Sequence, residues 1–209
     1  RLVIPSVLII IVSILTMKFS PSETVVPLPS PVLNSSNLTS GKGVEIIAER
    51  LQAPTSIDVA EDGKIFFTEK HGSIRVVENG TLLAEPVGDI KVENLGNAGL
   101  LGLALHPNFT QNHLFYVYYT YSNNTGLFNK VLMLKENKNR IVDSRTILDG
   151  IPGSEFRDGG RIKFGPDEKL YVSTGDASVP ELSQNLNSLA GKILRVNEDG
   201  TIPQDNPFS

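Results

Sequence analysis

No cysteine occurs among the 209 residues, which excludes a disulfide scaffold, a thiolate zinc site and a cysteine nucleophile together. Histidine is scarce as well, and three copies are too few for a His-rich metal cluster. There is no basic surplus: 19 Lys and Arg face 23 Asp and Glu, a net charge of −4, which argues against nucleic acid as a partner. The chain is 40% hydrophobic and 20% charged, so it has material for a core and too even a charge balance for disorder throughout. Eighteen glycines and thirteen prolines call for many turns. These counts describe a turn-rich, weakly acidic globular domain.

The longest apolar run lies at the start. Residues 2–17 read LVIPSVLIIIVSILTM, flanked by Arg1 and Lys18. Its length falls between the ~20 residues that span a bilayer and the ~7–15 of a signal-peptide core. No small-x-small cleavage site follows it. The reading is a hydrophobic helix over residues 1–18 that serves as a membrane anchor, with a buried core helix as the alternative. Residues 19–42 are rich in proline and serine and read as an extended tether. Asn-x-Ser/Thr sequons start at Asn34, Asn37, Asn79, Asn108 and Asn123. Anchor, tether and sequons together predict a membrane-anchored or secreted protein whose main domain, residues 43–209, lies outside the cytoplasm. A chain that opens on Arg1 and closes at Ser209, just after Asn206-Pro207-Phe208, is expected to be part of a longer product.

From Val44 onward, period-two alternation punctuated by Asp-Gly and Asn-Gly signals hairpins. Ile57 and Val59 precede the turn Glu61-Asp62-Gly63. Ile65-Phe66-Phe67 and Ile74-Arg75-Val76-Val77 follow, closed by Glu78-Asn79-Gly80. The same grammar returns in Arg161-Ile162-Lys163-Phe164, the turn at Pro166-Asp167, Leu170-Tyr171-Val172 and Ile193-Leu194-Arg195-Val196. The half-units GSIRVVENG (72–80) and GKILRVNEDG (191–200) are alike. Residues 114–119 (LFYVYY) read as a strand buried on both faces, with Val131 to Leu134 beside it. No stretch here sustains a 3.6-residue period. Repeated sheet units point to an all-β propeller, with a single sandwich as the competing fold.

The string Asn97-Ala98-Gly99-Leu100-Leu101-Gly102-Leu103-Ala104-Leu105-His106-Pro107-Asn108-Phe109 resembles the GLLGLAxHPxF segment of the pyrroloquinoline-quinone (PQQ) dependent glucose/sorbosone dehydrogenases. So do Gly159-Gly160-Arg161-Ile162-Lys163-Phe164-Gly165-Pro166-Asp167, Thr174-Gly175-Asp176, Leu189-Ala190-Gly191-Lys192-Ile193-Leu194-Arg195-Val196 and Asp205-Asn206-Pro207-Phe208, in the same order. The resemblance implies a six-bladed β-propeller, of which this chain supplies about the first three blades after the N-terminal helix. It implies PQQ as cofactor and a small-molecule sugar as substrate, oxidised at the anomeric carbon. The electron acceptor is not fixed by these residues.

The resemblance also locates a departure. The family's catalytic base is a histidine two positions before the paired small residues of the GGR motif, and here that position is Arg157. An arginine side chain stays protonated near neutral pH and is no base. Asp158 next to it is one substitute, if burial raises its pKa. Asp176 matches the aspartate that supports the family histidine and is a second, acting through a water. An ordinary Arg157–Asp176 salt bridge, with Asp158 shaping the turn, is the plain alternative. Asn97 stands where the family places Glu or Gln near the cofactor; it reads as a quinone contact or a turn residue. His106, in His-Pro-Asn-Phe, is expected to make a structural hydrogen bond, and His71 and His113 to be solvated. Glu69 reads as a charged strand end, with a channel-facing role as the alternative. Asn197, Asp199 and Asp205 are oxygen donors but miss the EF-hand spacing, so calcium is left open and no metal is assigned. Gly159-Gly160 and Gly99-x-x-Gly102 are followed by no phosphate-loop pattern. A non-catalytic propeller that binds a glycan or a protein partner is the competing function.

Overall fold

The alternating stretches of residues 54–78 form three short antiparallel strands: β1 (Pro54–Val59), β2 (Ile65–Glu69) and β3 (Ser73–Glu78). They begin the first of three sheets in the computed structural model, which describes residues 43–208. Two-residue strands β4 (Thr81–Leu82) and β5 (Gly88–Asp89) both pair with β3 and complete that sheet. The second sheet runs in sequence order through β6 (Leu100–Leu105), β7 (Leu114–Asn123), β8 (Gly126–Asn137) and β9 (Arg140–Pro152). The third contains β10 (Gly159–Phe164), β11 (Leu170–Thr174) and β12 (Ile193–Val196). One helical turn, α1 (Phe109–Asn112), and a 3-10 turn at Pro180–Gln184 are the helical elements among the described residues. The anchor and tether expected for residues 1–42 lie outside the described residues. Among those described, no helix is long and apolar enough to cross a membrane.

The sheets are laid side by side, with β6 packed against both β1 and β10. The first strands of successive sheets therefore touch, as they do in a propeller-type fold and not in a two-sheet sandwich. Two apolar layers fill the wedges between sheets. Phe66, Ile74 and Val76 meet Leu103, Phe115 and Val117 between the first and second. Tyr116, Tyr118 and Val131 meet Ile162, Leu170 and Val172 between the second and third. Strand β7 faces both layers, since its odd-numbered residues enter one and its even-numbered residues the other. That explains the unbroken apolar run read from the sequence. Each fully buried large side chain of this kind contributes roughly 1.5–3 kcal/mol.

Close contact between first strands needs two local devices. Side chains on β1 satisfy backbone groups at the edge of β6. The Thr55 hydroxyl donates to the Leu100 carbonyl at 2.6 Å, Ser56 Oγ accepts from Leu103 N–H at 3.1 Å, and Asp58 Oδ2 accepts from Leu105 N–H at 2.9 Å. On the other side, a Cβ at Gly102 would sit 2.1 Å from the Gly160 carbonyl oxygen, so only glycine lets β6 and β10 come this near. At the far end of β6, His106 Nδ1 accepts from Asn108 N–H at 3.0 Å, leaving Nε2–H to donate to Glu198 at 2.7 Å. The expected structural histidine thus joins the second sheet to the turn after β12. His71 and His113 are exposed.

Candidate functional site

Three loops meet at the end of the sheets where β6 and β10 begin. They are residues 90–99 before β6, residues 153–158 between β9 and β10, and residues 175–179 after β11. Asn97 N–H donates to the Glu155 carbonyl at 2.6 Å, which joins the first loop to the second. Ala177 N–H donates to the Arg157 carbonyl at 3.2 Å and Gly175 N–H to the Asp158 carbonyl at 3.0 Å, which joins the second to the third. The loops press tightly: a Cβ at Gly175 would lie 1.6 Å from the Arg157 carbonyl oxygen. The middle loop turns sharply because Arg157 adopts φ 63°, a left-handed conformation costing a non-glycine residue about 1 kcal/mol.

The Arg157 side chain is 63% exposed, and its Nη1 stands 3.4 Å from Asp176 Oδ2. Asp176 Oδ1 accepts from Ser178 N–H at 2.9 Å, fixing the carboxylate over its own turn. An ion pair this long and exposed contributes about 0–1 kcal/mol. Asn97 is exposed beside them. Lys70, at the end of the β2 hairpin, donates its ammonium to the Gly96 carbonyl. The structure thus brings Asn97, Arg157 and Asp176 to one end, on backbone-linked loops.

Asp158 is placed differently. It is 3% exposed, and its Oδ1 accepts from Asn129 Nδ2 and from Ser154 N–H, both at 2.9 Å. Oδ2 is buried and has no hydrogen-bond partner among the described residues. Burial pushes this carboxyl above the usual aspartate range, and the bonds from Asn129 and Ser154 oppose the shift. Tyr118 donates its hydroxyl to the Asp158 carbonyl at 2.8 Å, and burial raises that phenol strongly.

Sequence reasoning missed Asn129 and Thr120, both fully buried. Thr120 donates its hydroxyl to Asn129 Oδ1 at 2.7 Å, and Asn129 Nδ2 also donates to the Pro152 carbonyl at 3.2 Å. The available signal was alternation: Asn129 precedes the buried Val131 by two along β8 and so shares its inward face. Glu69 is the charged end of β2, as read, and is buried there. It is 2% exposed, accepts from Gln52 N–H and faces Arg75 Nη1 at 3.4 Å across the β2–β3 hairpin. Asn197 and Asp199 bond within their own turn through Thr201, and Asp205 pairs with Arg195 at 2.7 Å. Among the described residues no three acidic or histidine side chains converge as metal ligands.

Comparison with known proteins gives a consistent set. The family model described as Glucose / Sorbosone dehydrogenase matches residues 51–209. Quinoprotein glucose dehydrogenase B of Acinetobacter calcoaceticus is 31% identical over 194 residues, covering 78% of this chain and 41% of its own. The PQQ-bound aldose sugar dehydrogenase of Streptomyces coelicolor superposes with a TM-score of 0.72 at 32% identity, covering 80% of this chain and 51% of that one. The Hedgehog-interacting protein of Mus musculus is 30% identical over 195 residues, covering 78% of this chain and 28% of its own. The chain spans less than half the length of these sequence relatives.

Proposed function

The chain belongs to the glucose/sorbosone dehydrogenase family, and on that premise we propose that the full-length protein oxidises aldose sugars at the anomeric carbon with PQQ as hydride acceptor. The observation that carries this reading is the meeting of the Asn97, Arg157 and Asp176 loops at one end of the sheets. The full-length fold in this reading is a ring of six sheets. Ile57 and Val59 on β1 and Ile193 on β12 are more than half exposed, and further sheets would cover them.

The residues present suit the cofactor. PQQ is a flat, carboxylate-bearing quinone, and this end offers an exposed Asn97 amide with the Lys70 and Arg157 cations. These three would hold it; when bound, it supplies the acceptor for the sugar's hydride. The chain's own task is then to orient the sugar and take the hydroxyl proton. Asp158 has no atom open to a sugar, because Oδ1 is engaged and Oδ2 is buried. Asp176 is the partly exposed carboxylate, at 20%, and in this reading Oδ2 takes the proton through one water while Arg157 balances its charge.

One observation favours a second reading. The position of the family base is filled by Arg157, already turned towards Asp176, which is what a non-catalytic propeller that binds a glycan or a protein would retain. Dye reduction by the full-length protein loaded with PQQ and calcium separates the two. Turnover with an aldose, lowered about 10²-fold or more in kcat by Asp176→Asn, supports the enzyme. Bound PQQ without turnover of any aldose overturns it in favour of the second reading.

A further inference from the structure

The buried polar groups around Asn129 form a continuous chain whose two ends are the loops of the candidate site. Gly99 N–H, in the Asn97 loop, donates to Thr120 Oγ1 at 3.4 Å. Thr120 donates its hydroxyl to Asn129 Oδ1, Asn129 Nδ2 donates to Asp158 Oδ1, and Ser154 N–H closes the chain on the same oxygen. The directions follow from the Pro152 carbonyl, which only accepts: Asn129 must turn Nδ2 towards it and Asp158, so Oδ1 faces Thr120 and the hydroxyl donates. Both Asn129 Nδ2 protons are then used, on Asp158 and on the Pro152 carbonyl. Thr120 and Asn129 are fully buried at strand positions where alternation otherwise supplies apolar residues, and Asp158, in the loop before β10, is 3% exposed. Buried polar groups are costly unless each is paired, and paired ones restrict the structure to one arrangement.

We propose that Thr120, Asn129 and Asp158 act as a positioning relay that holds the Asn97 loop and the Arg157 loop in fixed relation across the second sheet. None of the three touches substrate in this assignment; they act through the loops. The consequence for turnover rests on the dehydrogenase reading, whereas the coupling between loops does not.

Amide hydrogen exchange on the full-length protein tests the coupling from both ends. Thr120→Val removes the hydroxyl without changing shape and is expected to speed exchange at Ser154, the far end, about tenfold, with Thr120→Ser restoring it. Asp158→Ala is expected to speed exchange at Gly99 in the same way. Tyr116→Phe, equally buried but bonded to the Glu198 carbonyl at the other end of the second sheet, leaves both amides unchanged. If each variant disturbs only its own end, or if Tyr116→Phe does as much, the relay is refuted. Should Thr120→Val fail to fold, Asp158→Ala read at Gly99 decides alone. In the PQQ-loaded protein both relay variants lower kcat several-fold and leave KM for the aldose within about twofold. No aldose turnover in the unaltered protein would sink the dehydrogenase reading and leave the exchange result standing. Normal turnover with uncoupled exchange would sink the relay alone.

Discussion

Asn129→Leu is the perturbation whose cost follows most directly from the geometry. Leucine shares asparagine's branching at Cγ but is bulkier, so no cavity opens and overpacking adds to a loss that is otherwise polar. Three bonds disappear: those to the Thr120 hydroxyl, the Pro152 carbonyl and Asp158 Oδ1. The first two groups are left without that partner, while Asp158 Oδ1 keeps Ser154 N–H. At about 1–3 kcal/mol per stranded buried group, the two together cost about 2–6 kcal/mol. That is a large share of the ~5–15 kcal/mol typical of a native domain. Urea unfolding of the full-length protein measures it, as a lowered midpoint at unchanged slope. Adding Thr120→Val removes the stranded hydroxyl, so the double variant should be less destabilised than the sum of the singles by about 1–2 kcal/mol. A cost below ~1 kcal/mol, or strict additivity, would refute the assignment of these bonds.

Asp158 makes stability depend on pH in a defined sense. Burial raises its folded-state pKa above the unfolded value, so protonation favours the native state. Its favourable contribution is fully present below the ordinary aspartate value of about 3.9 and is lost as pH rises through the raised folded value. Asp158→Asn should therefore gain on the unaltered protein between acid and neutral pH, and parallel urea midpoints across that range would contradict this. Gly102→Ala should cost about 1–3 kcal/mol or prevent folding, because the new methyl meets the Gly160 carbonyl; an unchanged melting temperature would show that β6 and β10 can separate freely. Arg157→His places an imidazole beside Asp176 and should raise aldose turnover about 10²-fold or more, read by dye reduction; an unchanged rate would mean that proton removal is not what limits the reaction.

The legible strands were those with apolar alternation or a short apolar run between turn signals. Strands β1, β10, β11 and β12 follow from alternation, β2, β3, β7 and β8 from apolar runs, and the Asp-Gly and Asn-Gly turns punctuate them. Strand β9 has no such pattern, because most of its 13 residues are exposed at the edge of the second sheet. The paired strands β4 and β5 are two residues each, too short to carry any period. At the site, motif strings located Asn97, Arg157 and Asp176, but burial separated Asp158 from its neighbour Arg157. Asn129 and Thr120 lie on two strands of one hairpin, and their link to residues 99 and 154 exists only once three loops have folded together. The burial of Glu69 was not legible for a related reason: its partner Arg75 lies across a hairpin, and a lone glutamate at a strand end carries no sign of a buried ion pair.

Whether these loops bind a quinone is the central question for this protein. The direct measurement is an absorbance titration of the full-length protein with PQQ, repeated with Asn97→Ala and in the presence of an aldose. The dehydrogenase reading predicts saturable binding, weakened at least several-fold by Asn97→Ala, and reduction of the bound quinone when sugar is added. Absence of saturable binding, or binding indifferent to Asn97, would contradict it and turn attention to a glycan or protein ligand at the same end of the sheets.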